Sequence, residues 1–173
     1  MTPLQVATLR RFQALGIRYL LVGGQAMRAR GIDRQTNDLD LWIARDRANA
    51  EAMAHFMERV QNRPPLERLQ QPNFKFTVGD HQHPEVDILT SVAGDPEFEE
   101  CAARSELLRL DGQRLQVMTA GDLIAVKEAS AAVMDRDAKD AALSDQDRTA
   151  AARTAEKERR DIALLSLLLA AGG

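Results

Sequence analysis

The spacing of hydrophobic positions changes several times along the chain, and each change marks an element. Thr2-Pro3 reads as an N-cap with proline at the first helical position, and Leu4, Phe12 and Leu15 share one face of a helix stopped by Gly16. Ile17 to Val22 is a near-continuous apolar run rich in strand formers. It is too short for a buried helix once Gly23-Gly24 interrupts it, so it predicts a central strand. A short helix from Gln25 to Arg30, stopped by Gly31, leads to a second strand from Leu39 to Ile43. Alternation along that strand puts Asp38, Asp40 and Trp42 on one face and Leu39, Leu41 and Ile43 on the other.

Asp46 can cap a helix through about Gln61, with Met53, Phe56, Met57 and Val60 at helical spacing and Pro64-Pro65 ending it. Phe74 to Val78 and Glu85 to Leu89 predict two strands joined by the turn Gly79 to Pro84, the second carrying Asp87 between Val86 and Ile88. Asp95-Pro96 is expected to open a short acidic helix containing Phe98 and Cys101. Leu107 to Leu110 and Arg114 to Val117 flank Asp111-Gly112, a strong hairpin signal. Thr119 and Asp122 resemble a capping box for a helix from Asp122 to Met134. Asp135 to Glu158 is charged and alanine-rich without an apolar stripe in its first half, which predicts a mobile loop running into an exposed helix. The leucine-rich stretch Ile162 to Leu169 predicts a last helix docked by its C-terminal half.

With 173 residues, 45% of them hydrophobic, the chain suits one compact domain with a real core. The expected division is a core of about residues 1–118 and a helical C-terminal segment of about 119–173. A net charge of -3 carries no global basic field of the kind that announces a nucleic-acid binder, though a local basic groove stays open. Cys101 is alone, which excludes an internal disulfide and a cysteine-rich metal framework. No charged-then-apolar leader and no apolar run near the ~20 residues of a membrane span are present, so a cytoplasmic protein with no membrane partner is expected.

The unusual chemistry lies between Tyr19 and Ile43. Two carboxylates on one face of a half-buried strand destabilise it unless a cation or proton neutralises them, and Mg²⁺ is usually held by one or two carboxylates plus substrate phosphate. Asp38-x-Asp40 also suits an innocent exposed edge strand, but its hydrophobic neighbours argue against one. Asp87 is a third carboxylate in an apolar frame, where an unpaired charge is costly. Gly23-Gly24 between strand and helix would let backbone N–H groups approach a phosphate, or is an ordinary turn. No Walker A or GxGxxG pattern occurs, which disfavours P-loop ATPases and Rossmann dehydrogenases. Arg34 and Thr36 could bond a triphosphate or simply fix the loop, and Lys127 could reach phosphates or be solvated. His81-x-His83 has metal-ligand spacing but sits in a polar turn, where an ordinary loop is the plainer reading. Trp42 could stack on a base or belong to the edge of the core. Ser91, Ser105 and Ser130 lack any nucleophile context.

Gly23-Gly24, thirteen residues from Gln25 to Asn37, Asp38-x-Asp40 and a later strand acid at Asp87 together resemble the polymerase-β-like nucleotidyltransferase superfamily. The stretch VGGQAMRARGIDRQTNDLDLWI is similar to the small bacterial nucleotidyltransferase-fold proteins that include toxins of toxin-antitoxin pairs. VDIL (Val86 to Leu89), DLIAVKEA (Asp122 to Ala129) and ERRDIALL (Glu158 to Leu165) extend the likeness more loosely. The resemblance implies an α/β (α+β) fold, a short mixed sheet with helices on one side and a helical C-terminal segment closing a nucleotide cleft. It implies an Mg²⁺-dependent enzyme moving a nucleoside monophosphate from a nucleoside triphosphate to a hydroxyl of RNA, protein or a small molecule. Asp38, Asp40 and Asp87 would be the catalytic and metal-binding acids; Gly23, Gly24, Gln25, Arg34, Thr36 and Lys127 would bind nucleotide, with Asp161 a less certain addition. The alternative it implies is a non-catalytic module that binds a nucleotide or a partner, with a cognate antitoxin as one such partner. The long charged segment Asp135 to Glu158 departs from the tight link expected of that family.

Overall fold

The computed structural model describes residues 1–58, 63–79 and 84–172. The expected end of the third helix, with Val60 and Gln61, and the His81-x-His83 turn lie outside the described residues. Along the chain run α1 (Pro3–Ala14), β1 (Tyr19–Val22), α2 (Gly23–Ala29), β2 (Leu39–Ile43), α3 (Arg47–Phe56), α4 (Leu66–Leu69), β3 (Lys75–Gly79), β4 (Pro84–Leu89), α5 (Phe98–Arg104), β5 (Glu106–Leu110), β6 (Gln113–Val117), α6 (Ala120–Asp137) and α7 (Asp145–Gly172). The fold is mixed α/β, with a six-stranded sheet and a helical C-terminal segment.

Two compact units divide the chain. The first comprises Met1–Val92 and Pro96–Met118; the second comprises Ala93–Asp95 and Thr119–Gly173. The first holds the sheet, in the order β3-β4-β2-β1-β6-β5. β2 runs parallel to β4 and antiparallel to β1, while β1 runs parallel to β6, so the sheet is mixed at its centre. The alternation expected of β2 is realised: Leu39, Leu41 and Ile43 are fully buried, as are Val86 and nearly Ile88 beside them on β4. Each such aliphatic side chain contributes about 1.5–3 kcal/mol of burial, which anchors the register that carries the acids between them. Trp42, on the acid-bearing face, meets Phe98 of α5 edge-on at 5.0 Å, and Tyr19, alternating to the other face, meets Phe12 of α1 at 5.6 Å.

Local signals place most element ends. The Thr2 hydroxyl accepts the Gln5 backbone N–H while the Gln5 side chain accepts that of Thr2, a complete capping box. Asp46 accepts from the Asn49 backbone to start α3, and Asp111 (φ 47°) with Gly112 (φ 80°) turns the β5–β6 hairpin. Asp95, however, has φ 44°, a left-handed conformation unlike the extended backbone of an N-cap, and α5 begins only after Glu97.

The second unit is built on α6 and α7. The Thr119 hydroxyl accepts the Asp122 backbone N–H, and the helix it opens runs on to Asp137. Of the stretch expected to run from a loop into an exposed helix, the first residues still belong to α6, which ends at Asp137, and the helix begins at Asp145, α7 being 28 residues long. Its buried face is built of Ala151, Ala155, Asp161 and Leu165, so the stripe exists but is written mainly in alanine and one acid. Among the described residues, no helix is long and apolar enough to cross a membrane.

Candidate functional site

One row of backbone partners crosses four strands of the first unit. Thr77 of β3 pairs with Asp87 of β4, Asp87 with Asp40 of β2, and Asp40 with Val22 of β1. Partners in register project to the same face, and neighbouring strands lie ~4.8 Å apart, so Asp40 and Asp87 stand side by side. Asp38 precedes β2 by one residue and is half-buried. Val22 is also the residue before α2, so the row ends at the Gly23-Gly24 turn.

That turn has a specific reason to lack side chains. Gly23 has φ 65°, and a Cβ there would stand 2.1 Å from an Asp40 carboxylate oxygen and 2.9 Å from Asp40 Cγ. A Cβ at Gly24 would stand 2.8 Å from both Cβ and Oγ1 of Thr36. The two glycines therefore let the acid strand and the loop before it close onto the start of α2. No side chain caps that start, since Val22 holds the N-cap position.

Gln25 and Thr36 meet as part of the same corner. Gln25 is buried; its amide donates to the Thr36 carbonyl at 3.5 Å and its oxygen accepts from Arg28 at 2.9 Å. Arg34 donates to the Gln35 carbonyl. Arg28, Arg34, Thr36 and Asn37 line an open cavity of about 440 Å³ together with Asp33 and Gln35. Gly24, Gln25, Arg34 and Thr36 are thus brought together.

Asp87 is engaged on both oxygens. Thr77 Oγ1 donates to Oδ1 at 2.7 Å, and the Lys75 ammonium lies 2.6 Å from Oδ2, with only 11% of the Asp87 side chain exposed. Carboxylate oxygens are the hard donors that Mg²⁺ takes, so by donor chemistry alone Asp38, Asp40 and Asp87 are the suitable groups here. Asp87 fits less well, because a lysine ammonium already neutralises it. Among the described residues no group of three or more His, Cys, Asp or Glu side chains is gathered tightly enough to hold a metal ion.

Lys127 belongs to the second unit. Its buried ammonium lies 2.7 Å from Glu158 and 2.8 Å from Asp161, a cation shared by two carboxylates of α7. Trp42 is buried, 1% exposed, and donates its indole N–H to the Thr90 carbonyl at 3.3 Å, so it is core and offers no face to a base. Sequence reasoning missed Lys75, Thr77 and Glu158. The period-2 alternation of β3 carried a signal for the first two, since Lys75 and Thr77 share the face that meets Asp87. A larger cavity of about 670 Å³ lies away from the acids, lined by Arg18, Tyr19, Phe98 and Arg114 among others. Burial pushes the Tyr19 hydroxyl up to about 12. Compared with family profiles and with curated proteins, the chain matches none.

Proposed function

We propose that the acid-bearing corner binds a nucleoside triphosphate with Mg²⁺ and transfers the nucleoside monophosphate to a hydroxyl acceptor, releasing pyrophosphate. The observation that carries this reading is the row Asp87–Asp40–Val22, which sets two carboxylates side by side and ends at a glycine turn pressed against Asp40. Asp38 and Asp40 are the residues to hold the cation, whose chemistry when bound is to neutralise charge on phosphate oxygens. The uncapped start of α2 offers backbone N–H groups to the phosphates, and Arg28 and Arg34 on the adjoining cavity add positive charge beside them. In the transfer, the acceptor oxygen forms a bond to the α-phosphorus, the bond to pyrophosphate breaks, and the acceptor proton leaves to a base. Such a reaction asks mainly for positioning and charge neutralisation, and a carboxylate corner suits it better than any nucleophile set in the chain.

The engagement of Asp87 by Lys75 and Thr77 favours a second reading, a module that binds nucleotide without transferring it, as a partner-binding member of a toxin-antitoxin pair would. One experiment separates the two. The full chain is incubated with Mg²⁺, each α-labelled nucleoside triphosphate, and RNA, protein or small hydroxyl compounds as acceptor. Transfer predicts labelled acceptor with matching pyrophosphate, falling at least about a hundredfold in Asp40→Asn with the fold intact. Full activity in both Asp38→Asn and Asp40→Asn would defeat the proposal, and nucleotide binding without label transfer to any acceptor would select the second reading.

A further inference from the structure

Residues 32–38 have no regular secondary structure, lead into β2, and carry Arg34, Thr36 and Asp38. Two buried side-chain amides hold consecutive carbonyls of this segment. That of Gln25 donates to Thr36 at 3.5 Å, and that of Gln5, from the first turn of α1, donates to Asn37 at 2.6 Å. The closer hold comes from α1. The same Gln5 nitrogen donates to the Glu85 carbonyl of β4 at 3.0 Å, while the Gln5 side-chain oxygen accepts the Thr2 backbone N–H at 3.0 Å. Carbonyls only accept and a backbone N–H only donates, so these three partners admit one orientation of the amide. Gln5 is 1% exposed, and an amide buried to that degree is costly unless its donors and acceptor are bonded, as they are here.

We infer that Gln5 is the positioning residue of the acid-bearing corner: it locks the segment entering Asp38 to the segment entering Asp87, and so fixes the place of Asp38 beside the sheet. The inference rests on the reading of this corner as a nucleotide site. The parallel ladder of β2 with β4 has Leu39 and Val86 as its first pair, and Asn37 lies two residues before Leu39. Asp38 therefore sits between a ladder that begins after it and a clamp that grips the residue before it. Gln5 extends the link between the two strands by one side chain, past the point where backbone pairing stops. The Thr2 hydroxyl also donates to the Glu85 carboxylate, so two residues at the start of α1 tie that helix to β4. Holding a reacting group within a fraction of an ångström is what such a lock contributes to a reaction that depends on positioning.

Residue-resolved hydrogen exchange of the full chain, with Gln5→Glu, tests the lock. That substitution keeps the acceptor of the α1 capping box and removes both donations to the strands. Exchange is expected to quicken at least about tenfold among the protected amides of Leu39, Asp40, Val86 and Asp87, while α1 exchanges as in wild type. Gln5→Met, uncharged and of similar length, lacks donors and acceptor alike and should quicken exchange at both places; it decides the matter if Gln5→Glu does not fold. Wild-type exchange in β2 and β4 of the folded variant would overturn the inference. In the labelled-transfer assay, kcat of the folded variant should fall at least about tenfold with KM for nucleotide changed less than about threefold, because Asp38 shifts while the glycine turn stays in place. A role in stability alone would not produce that split, so full kcat alongside quickened exchange would also overturn the positioning role. If wild type transfers nucleotide to no acceptor, the transfer reading fails, and the exchange rates alone decide whether Gln5 locks the two segments.

Discussion

Gly23 has two separate reasons to lack a side chain: a backbone at φ 65°, and an Asp40 oxygen where a Cβ would go. An L-residue in that conformation costs of order 1–3 kcal/mol before the displaced carboxylate is counted. Gly23→Ala should therefore lower stability by at least about 1–3 kcal/mol in urea unfolding, and adding Asp40→Ala should restore the part due to the clash while leaving the backbone part. Unchanged stability in Gly23→Ala would contradict the close approach. The sequence pattern made Gly23-Gly24 and the acids legible as neighbours in kind, since a strand, two glycines and an alternating acid strand can be read from periodicity alone. It did not show that the glycines admit Asp40 and Thr36 as well as leaving backbone amides open, because that depends on the pairing of β1 with β2. For Lys75 the alternation of β3 gave its face, but its link to Asp87 is a matter of β3 register.

At the scale of elements, the local signals were those whose partners lie within a few residues. Thr119 as a cap, Asp111-Gly112 as a hairpin turn and the alternation of Leu39 to Ile43 all appear as the residue types require. α7 was obscure because Ala151 and Ala155, its buried positions, read as neutral in a hydrophobic pattern, and because Asp161 is a buried acid. Lys127 resolves that last oddity, yet its partners lie 31 and 34 positions away in the sequence. A single ammonium here stands between two nearly buried carboxylates and ties α6 to α7. Removing one partner of a buried ion group costs about 3–5 kcal/mol because the remaining charges are left uncompensated. Lys127→Met should destabilise the protein by that amount in urea unfolding and raise hydrogen exchange in both helices, whereas Lys127→Met/Glu158→Gln/Asp161→Asn should recover much of the loss. Wild-type exchange rates in Lys127→Met would show that the triad holds nothing together.

At the scale of the molecule, the mixed sheet brings its polar row to one place by topology. β2 and β4 are neighbours in parallel although α3, α4 and β3 separate them in sequence, and that crossover alone sets Asp40 beside Asp87. The central claim is that this corner binds nucleotide with its cation through Asp38 and Asp40. Its most direct test is the melting temperature of wild type and of Asp38→Asn/Asp40→Asn with each of the four nucleoside triphosphates, with and without Mg²⁺. A ligand at ~100 times its dissociation constant adds about 2.7 kcal/mol, a rise of roughly 5–10 °C for a chain of this size. The account predicts such a rise for wild type only when nucleotide and Mg²⁺ are both present, and none for the double variant. An equal rise in the double variant, or no rise in wild type with any nucleotide, would contradict it.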